Sequence, residues 1–197
     1  MTSDMKAICV YCGSSPGITM EYAAGARQLA AQLVSQQLRL VYGGGNVGLM
    51  GIIADEVLRL GGQVTGVIPR ALMDKEVGHT GLTDLHIVSN MHERKAMMAE
   101  LSDAFIAMPG GIGTFEELFE VLTWSQLGFH EKPVGLYNIN GFYQKLHDFL
   151  LHTVEQGFLR AAHLDLLHID NDAASLLQKF AQYHPVHIKK WLDVKDL

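Results

Sequence analysis

Nine consecutive residues, Pro109-Gly110-Gly111-Ile112-Gly113-Thr114-Phe115-Glu116-Glu117, constrain the chain more than any other stretch. The apolar run Ala104 to Met108 before them has strand character, and from Leu118 to Leu127 apolar residues recur at helical spacing. The stretch reads as a strand, a glycine turn and a helix start. A helix start presents backbone N–H groups without intrahelical partners and a partial positive charge. Glycines let a ligand approach the backbone with no Cβ in the way. Together these features describe a phosphate cradle. Glu116 and Glu117 place two carboxylates beside it, which points to chemistry on a phosphorylated small molecule.

The same strand–turn–helix grammar occurs twice before this point. Lys6 to Cys12 reads as a strand, Gly13-Ser14-Ser15-Pro16-Gly17 as its turn and Met20 to Gln36 as a helix. Arg39 to Tyr42, Gly43 to Gly48 and Leu49 to Leu60 repeat the pattern, with Gly61-Gly62 closing the helix. Gln63 to Ile68 is a third strand. Arg70 to Asp84 is polar and irregular, and is placed to fold over a site. Leu85 to Val88 reads as a strand and Met91 to Leu101 as a helix with Asn90 as N-cap. Beyond the helix that follows Thr114, strands at Pro133 to Tyr137 and Leu164 to Ile169 alternate with helices at Phe142 to Gln156 and Asp172 to Tyr183. Such alternation predicts an α/β fold, a doubly wound Rossmann-like parallel sheet with helices on both faces. A length of 197 residues suits one domain spanning 1–197, with a core over about 5–183 and a polar tail at 184–197. Ligands of such folds bind beyond the carboxyl ends of the strands, so the three turns converge on one rim.

Charge and composition exclude several classes. A formal net charge of −6 with no basic cluster argues against a nucleic-acid surface, which calls for a Lys/Arg stripe. No apolar run approaches the ~20 residues of a membrane span, and the N-terminus lacks a charged leader with an apolar core, so the expected compartment is the cytoplasm. Cys9 and Cys12 have C-x-x-C spacing. On a strand, residues three apart point to opposite faces, so the expectation is two packed thiols rather than a redox pair. His184 and His187 have metal-like spacing without a second pair of ligands, which reads as solvated tail. No metal and no cofactor is called for.

Gly43-Gly44-Gly45-Asn46-Val47-Gly48 matches the dinucleotide fingerprint G-x-G-x-x-G in a strand-to-helix context. The acidic residue expected at the end of the next strand is missing, since that strand ends Val67-Ile68-Pro69-Arg70. Tight strand–helix packing, or backbone contact with another phosphate or sugar, remains. Thr114 and Glu117 have the spacing of a capping box, in which Glu117 only satisfies a backbone N–H. Against that, Glu117 borders the apolar face formed with Val121 and Trp124, and partial desolvation raises a carboxyl pKa toward values that suit a general acid or base. Glu116 points elsewhere, either toward a ligand hydroxyl or into solvent. Arg94 shares a helix face with Met91, Met98 and Leu101. A guanidinium there requires an anion, either a ligand or an internal carboxylate, unless its head reaches water. Lys95 lies on the neighbouring face, and Glu76 carries no spacing signal of its own.

Several stretches together, Cys9 to Ser15, Tyr42 to Gly45 with Gly48 to Gly51, Gly66 to Pro69, Met91 to Lys95 and Pro109 to Glu117, closely resemble the Lonely guy family of cytokinin-activating phosphoribohydrolases. Members are often labelled lysine decarboxylase-like. The resemblance covers about residues 5–160, and its most diagnostic piece, P-G-G-x-G-T-x-x-E, is present without departure; Asn46 stands where many members carry Ser or Ala. The resemblance implies hydrolysis of the N-glycosidic bond of a nucleoside 5′-monophosphate, a cytokinin nucleotide or AMP, to free base and ribose 5-phosphate. It implies Arg94 and Glu117 as the catalytic pair. It implies nucleotide contacts from Glu76, Arg94, Lys95, Gly110, Gly111, Ile112, Gly113, Thr114, Phe115, Glu116, Glu117 and Thr123, with Gly13, Ser14, Gly44 and Gly45 from the other two turns. It also implies a homodimer or larger assembly. The decarboxylase label fits poorly, because that chemistry needs pyridoxal phosphate on a Schiff-base lysine and no lysine here is so marked. The rival from the same fold is a non-catalytic carrier of a phosphorylated ligand, resembling molybdenum-cofactor carriers.

Overall fold

The structure is a computed structural model and describes residues 5–73, 75 and 78–185. Its centre is a seven-stranded sheet in the order β4-β3-β2-β1-β5-β6-β7, and every pairing is parallel. The strands are β1 (Ala7–Tyr11), β2 (Arg39–Tyr42), β3 (Val64–Pro69), β4 (Asp84–Val88), β5 (Ala104–Ala107), β6 (Val134–Tyr137) and β7 (Leu167–Asp170). The helices are α1 (Met20–Ser35), α2 (Gly48–Arg59), α3 (Arg70–Met73), α4 (Met91–Glu100), α5 (Ile112–Leu127), α6 (Gln144–Glu155), α7 (Ala161–Leu164) and α8 (Ala173–Ala181). The doubly wound α/β expectation therefore holds, and the polar stretch after β3 contributes one short helix, α3.

The sheet is covered on both faces, and its central strands are buried accordingly: β1, β2, β3, β5 and β6 carry almost no exposed residue. Helices α1, α2 and α8 pack one side of the sheet through Leu29, Leu33, Ile53, Val57, Leu176 and Phe180. Helices α4, α5 and α6 pack the other through Met98, Leu118, Val121 and Leu150. In α1 the buried residues Ala26, Leu29, Ala30 and Leu33 follow the helical period, and each fully buried leucine stabilises the fold by about 1.5–3 kcal/mol. Cys9 and Cys12 are free thiols that pack into opposite faces, as alternation along a strand requires.

The strand order reverses between β1 and β5. Chain leaving β4 at one edge of the sheet passes through α4 and returns at β5, beyond β1. This switch point brings the three glycine turns together, and backbone bonds hold them there. Gly13 N–H donates to Pro109 O at 3.0 Å, and Leu49 N–H donates to Gly13 O at 3.0 Å. The contact is too close for side chains: a Cβ on Gly110 would lie 2.1 Å from Thr114 Oγ1 and 2.9 Å from Gly13 N.

Candidate functional site

Helix α5 begins three residues earlier than the capping-box spacing suggests. Gly111 is its N-cap and makes no side-chain cap, and Ile112 is its first residue. Thr114 thus lies inside the first turn, with its hydroxyl packed over Gly110. The capping-box reading of Thr114 and Glu117 is corrected on this point: Glu117 sits well into the helix and faces a cleft. The first intrahelical donor is Phe115 N–H, to Gly111 O at 3.1 Å, so the N–H groups of Ile112, Gly113 and Thr114 precede the ladder. A Cβ on Gly111 or Gly113 would meet nothing within 4 Å. The space in front of these donors is open.

That space belongs to a cleft of about 240 Å³ lined by Cys12, Gly13, Ser14, Met50, Arg94, Gly111, Ile112, Gly113, Thr114 and Glu117. Its charged wall is the pair Arg94–Glu117, with Nη1 and Oε1 3.5 Å apart and the two residues only 7 % and 9 % exposed. Arg94 is aimed by the backbone. Its Nε–H donates to Val67 O at 3.1 Å and its Nη2–H to Gly43 O at 3.1 Å, from the ends of β3 and β2. Asn90 caps α4 by accepting Glu93 N–H, which fixes the helix that carries Arg94. The anion that an apolar helix face demands is therefore internal. The face is also less buried than its spacing suggests, since Met91 and Leu101 are exposed while Met98 is buried.

Lys95 is turned away from the cleft. Its Nζ donates to Glu116 Oε1 at 2.5 Å and to Glu120 Oε1 at 3.0 Å, tying α4 to α5. Burial works against its charge, but these two carboxylates outweigh burial and hold the ammonium pKa above the usual lysine value. Glu116, Phe115 and Thr123 line a separate shallow groove along α5, with Ile112, Phe119, Glu120 and Trp124. Gly44 and Gly45 lie under the second turn, where Gly44 O accepts His79 N–H at 3.0 Å and Gly45 bridges Gly78. Within one chain the cleft thus gathers Gly13, Ser14, Arg94, Gly111, Ile112, Gly113, Thr114 and Glu117, and leaves Lys95, Phe115, Glu116, Thr123, Gly44 and Gly45 outside its lining. Gly110 lies behind the cleft, lining a second hollow of about 310 Å³ with Tyr22, Leu49 and Phe142. Glu76 lies outside the described residues, as does His187.

Two lining residues, Cys12 and Met50, lie in stretches that carry the family resemblance but were given no place at the site. Burial, reinforced by the charge of Glu117, pushes the Cys12 thiol well up, so it stays protonated and unreactive near neutral pH. The carbonyls of Gly43 and Val67 were equally silent, because a backbone acceptor has no residue signature. Among the described residues no group of three or more His, Cys, Asp or Glu is arranged to hold a metal ion, and no helix is long and apolar enough to cross a membrane.

A family model described as "Possible lysine decarboxylase" matches residues 50–180. The chain is 48% identical over 185 residues to the cytokinin riboside 5′-monophosphate phosphoribohydrolase LOG5 of Arabidopsis thaliana, covering 94% of this chain and 81% of that protein. It is 47% identical over 187 residues to LOG1 of the same plant, covering 95% and 88%. A probable enzyme of the same description from Oryza sativa subsp. japonica, LOGL1, is 50% identical over 180 residues, covering 91% and 81%. Among solved structures, the molybdenum cofactor carrier protein of Chlamydomonas reinhardtii superposes with a TM-score of 0.68 at 20% identity, covering 90% of this chain and 96% of that one. The molybdenum cofactor binding protein of the bacterium Rippkaea orientalis gives 0.65 at 20% identity, with coverage of 90% and 96%. At such identity these two likenesses concern the fold alone.

Proposed function

The chain belongs to the Lonely guy family of cytokinin riboside 5′-monophosphate phosphoribohydrolases, and from that premise we propose how its own residues carry out the reaction. It is a hydrolase of N-glycosyl bonds, cleaving a nucleoside 5′-monophosphate of the cytokinin riboside class to free base and ribose 5-phosphate. The 5′-phosphate is held by the N–H groups of Ile112, Gly113 and Thr114 and the positive end of α5. Glu117, one turn further along the same helix, then faces the ribose. Cleavage of the bond to the base builds oxocarbenium character on the sugar, as in glycoside hydrolysis. A nearby carboxylate stabilises that charge and activates water. Arg94 holds the carboxylate in place and supports charge on the leaving side. The observation that carries this reading is the buried Arg94–Glu117 pair at the wall of a cleft whose floor is a helix N-terminus.

The decarboxylase description of the family model is a label. A Schiff-base lysine needs a lowered pKa, and Lys95, the one lysine in a site-like motif, is held the other way by Glu116 and Glu120. We extend the proposal to the setting. Residues 1–197 act as one nucleotide-binding domain. Glu76, Lys95, Phe115, Glu116 and Thr123 complete the nucleotide site in a homodimer, for which the exposed side chain of Ile112 and the apolar groove beside it supply a surface. The protein works in the cytoplasm, where its two cysteines stay reduced.

The test is to incubate the purified protein with AMP and with N6-isopentenyladenosine monophosphate and to follow free base by chromatography, with the matching nucleosides as controls. Base from the monophosphates alone is the expected result. Tight binding of an unreacted nucleotide would instead identify a carrier. Glu117→Gln should lower turnover at least 100-fold and leave nucleotide binding within a few-fold. Full activity in that variant would refute the role of Glu117.

A further inference from the structure

Arg94 is aimed by two carbonyls, and one of them, Gly43 O, sits in a turn that a second group of residues holds from behind. Gly44 O accepts His79 N–H at 3.0 Å, and Gly45 pairs with Gly78 in an isolated antiparallel bridge. Gly44, at φ +77°, is pressed against β3, where an added Cβ would lie 3.1 Å from Ile68 Cβ. The second turn is thus clamped between β3 and the short segment 78–81.

That segment is anchored by one side chain. His79 is 8 % exposed, and its ring makes two hydrogen bonds. Gly81 N–H donates to Nδ1 at 3.1 Å, so Nδ1 bears a lone pair and the proton of the neutral ring lies on Nε2. Nε2–H then donates to Asp55 Oδ1 at 2.8 Å, on α2. Both ring nitrogens are committed, one to the segment's own backbone and one to the helix that the second turn begins. Neither His79 nor Asp55 is among the residues that line the cleft.

We propose that His79 and Asp55 are positioning residues for the reaction: the imidazole pins segment 78–81 to α2, the segment holds the Gly43–Gly45 turn, and the turn presents the carbonyl that orients the Arg94 guanidinium. The proposal rests on the catalytic reading of Arg94. It predicts an effect on turnover with little effect on substrate affinity, because the phosphate donors on α5 are not part of the clamp. Misplacing a catalytic group by about 1 Å costs roughly 100-fold in rate, so a partial loosening costs about tenfold.

Four proteins decide it: wild type, Asp55→Ala, Asp55→Asn and His79→Ala. Base release from N6-isopentenyladenosine monophosphate gives kcat and KM, and the hydrogen-exchange rate of the Arg94 Nε–H proton is read by NMR, its resonance assigned by its loss in Arg94→Lys. Asp55→Ala should lower kcat about tenfold with KM within twofold, and should speed exchange of the Nε–H proton at least fivefold. Asp55→Asn keeps an oxygen to accept Nε2–H and should restore both. His79→Ala should match or exceed Asp55→Ala; if it fails to fold, the Asp55 pair still decides, since Asp55 is two-thirds exposed and its removal opens no cavity. A merely structural role would lower the thermal midpoint and leave kcat per folded molecule and Nε–H exchange unchanged, and that result overturns the proposal. If wild type releases no base, the reading of the reaction fails instead, and the exchange rates alone decide the clamp: equal rates in wild type and Asp55→Ala refute it.

Discussion

Gly43→Ala is the most informative single change in this protein, because the structure places one methyl group against Arg94, the side chain proposed to be catalytic. Gly43 has no left-handed backbone, so alanine fits its conformation without strain. The new Cβ, however, would lie 1.8 Å from Arg94 Nη2, with Arg94 Cζ and Met50 Cε each at 3.0 Å. The methionine end is flexible and can swing aside. The guanidinium must retreat by about 1.6 Å before it reaches the 3.4 Å at which ordinary contact begins. Such a move breaks the 3.1 Å bond from Nη2 to Gly43 O and changes the distance to Glu117. A hydrogen bond from a charged donor contributes about 1.5–3 kcal/mol, so the variant should lose about 2 kcal/mol or more of stability. Its kcat should fall at least 100-fold, given the rate cost of a displacement beyond 1 Å. Base release from N6-isopentenyladenosine monophosphate reports the rate, and denaturant unfolding reports the stability. The decisive control is the same substitution in an Arg94→Ala background, where the clash is gone and Gly43→Ala should cost under 1 kcal/mol. An active Gly43→Ala enzyme, or an equal stability loss in both backgrounds, would refute the reasoning.

Two further expectations concern charge. Lys95→Met removes the cation that Glu116 and Glu120 share, and should cost about 1–3 kcal/mol in denaturant unfolding, with part recovered by adding Glu120→Gln. An equal loss in the single and double variants would show that the pair contributes packing rather than charge. At the far edge of the sheet, burial works against the Asp170 carboxylate, but Lys179, the Ser175 hydroxyl and Asp172 N–H outweigh it and bring its pKa from 3.8 down to about 2. A carboxyl depressed on folding supplies stability above its ordinary range and loses it as pH falls toward the folded value. The thermal midpoint of wild type should therefore exceed that of Asp170→Asn at pH 5, and the gap should shrink steadily toward pH 2; a constant gap would refute the assignment.

The order of strands and helices was legible because most strands are short and apolar, because β1, β2 and β5 run into glycine-rich turns, and because long helices such as α1 and α2 carry their buried residues at the helical period. Boundaries failed where tertiary contact outvoted local chemistry. Thr114 looks like an N-cap, but its hydroxyl is needed over Gly110, so Gly111 caps α5 and the helix begins sooner. The last strand was expected from Leu164, yet Ala161–Leu164 forms a turn of helix and β7 begins at Leu167, where pairing with Val134 sets the register. At the site, side chains that carry their own charge announced themselves, as Arg94 and Glu117 did. Their partners did not. Val67 O and Gly43 O come from strands that sequence alone cannot align to Arg94, and the pairing of His79 with Asp55 links positions 24 residues apart through a loop of no regular pattern. The resemblance implied a nucleotide contact for Lys95; within one chain its partners are two carboxylates of α5, which its motif did not announce.

The strand order carries one more consequence. Strands β1 to β4 make one half of the sheet and β5 to β7 the other, with α4 as the crossover between them. Arg94 rides on that crossover, braced against the ends of β2 and β3, while Glu117 belongs to the helix that follows β5. The Arg94–Glu117 pair is therefore sewn across a seam whose stitches are the β1–β5 ladder and the Gly13–Pro109 bond. Both core clusters cross this line as well, so the 3.5 Å separation of the two charges reports how closely the two halves of the sheet are docked.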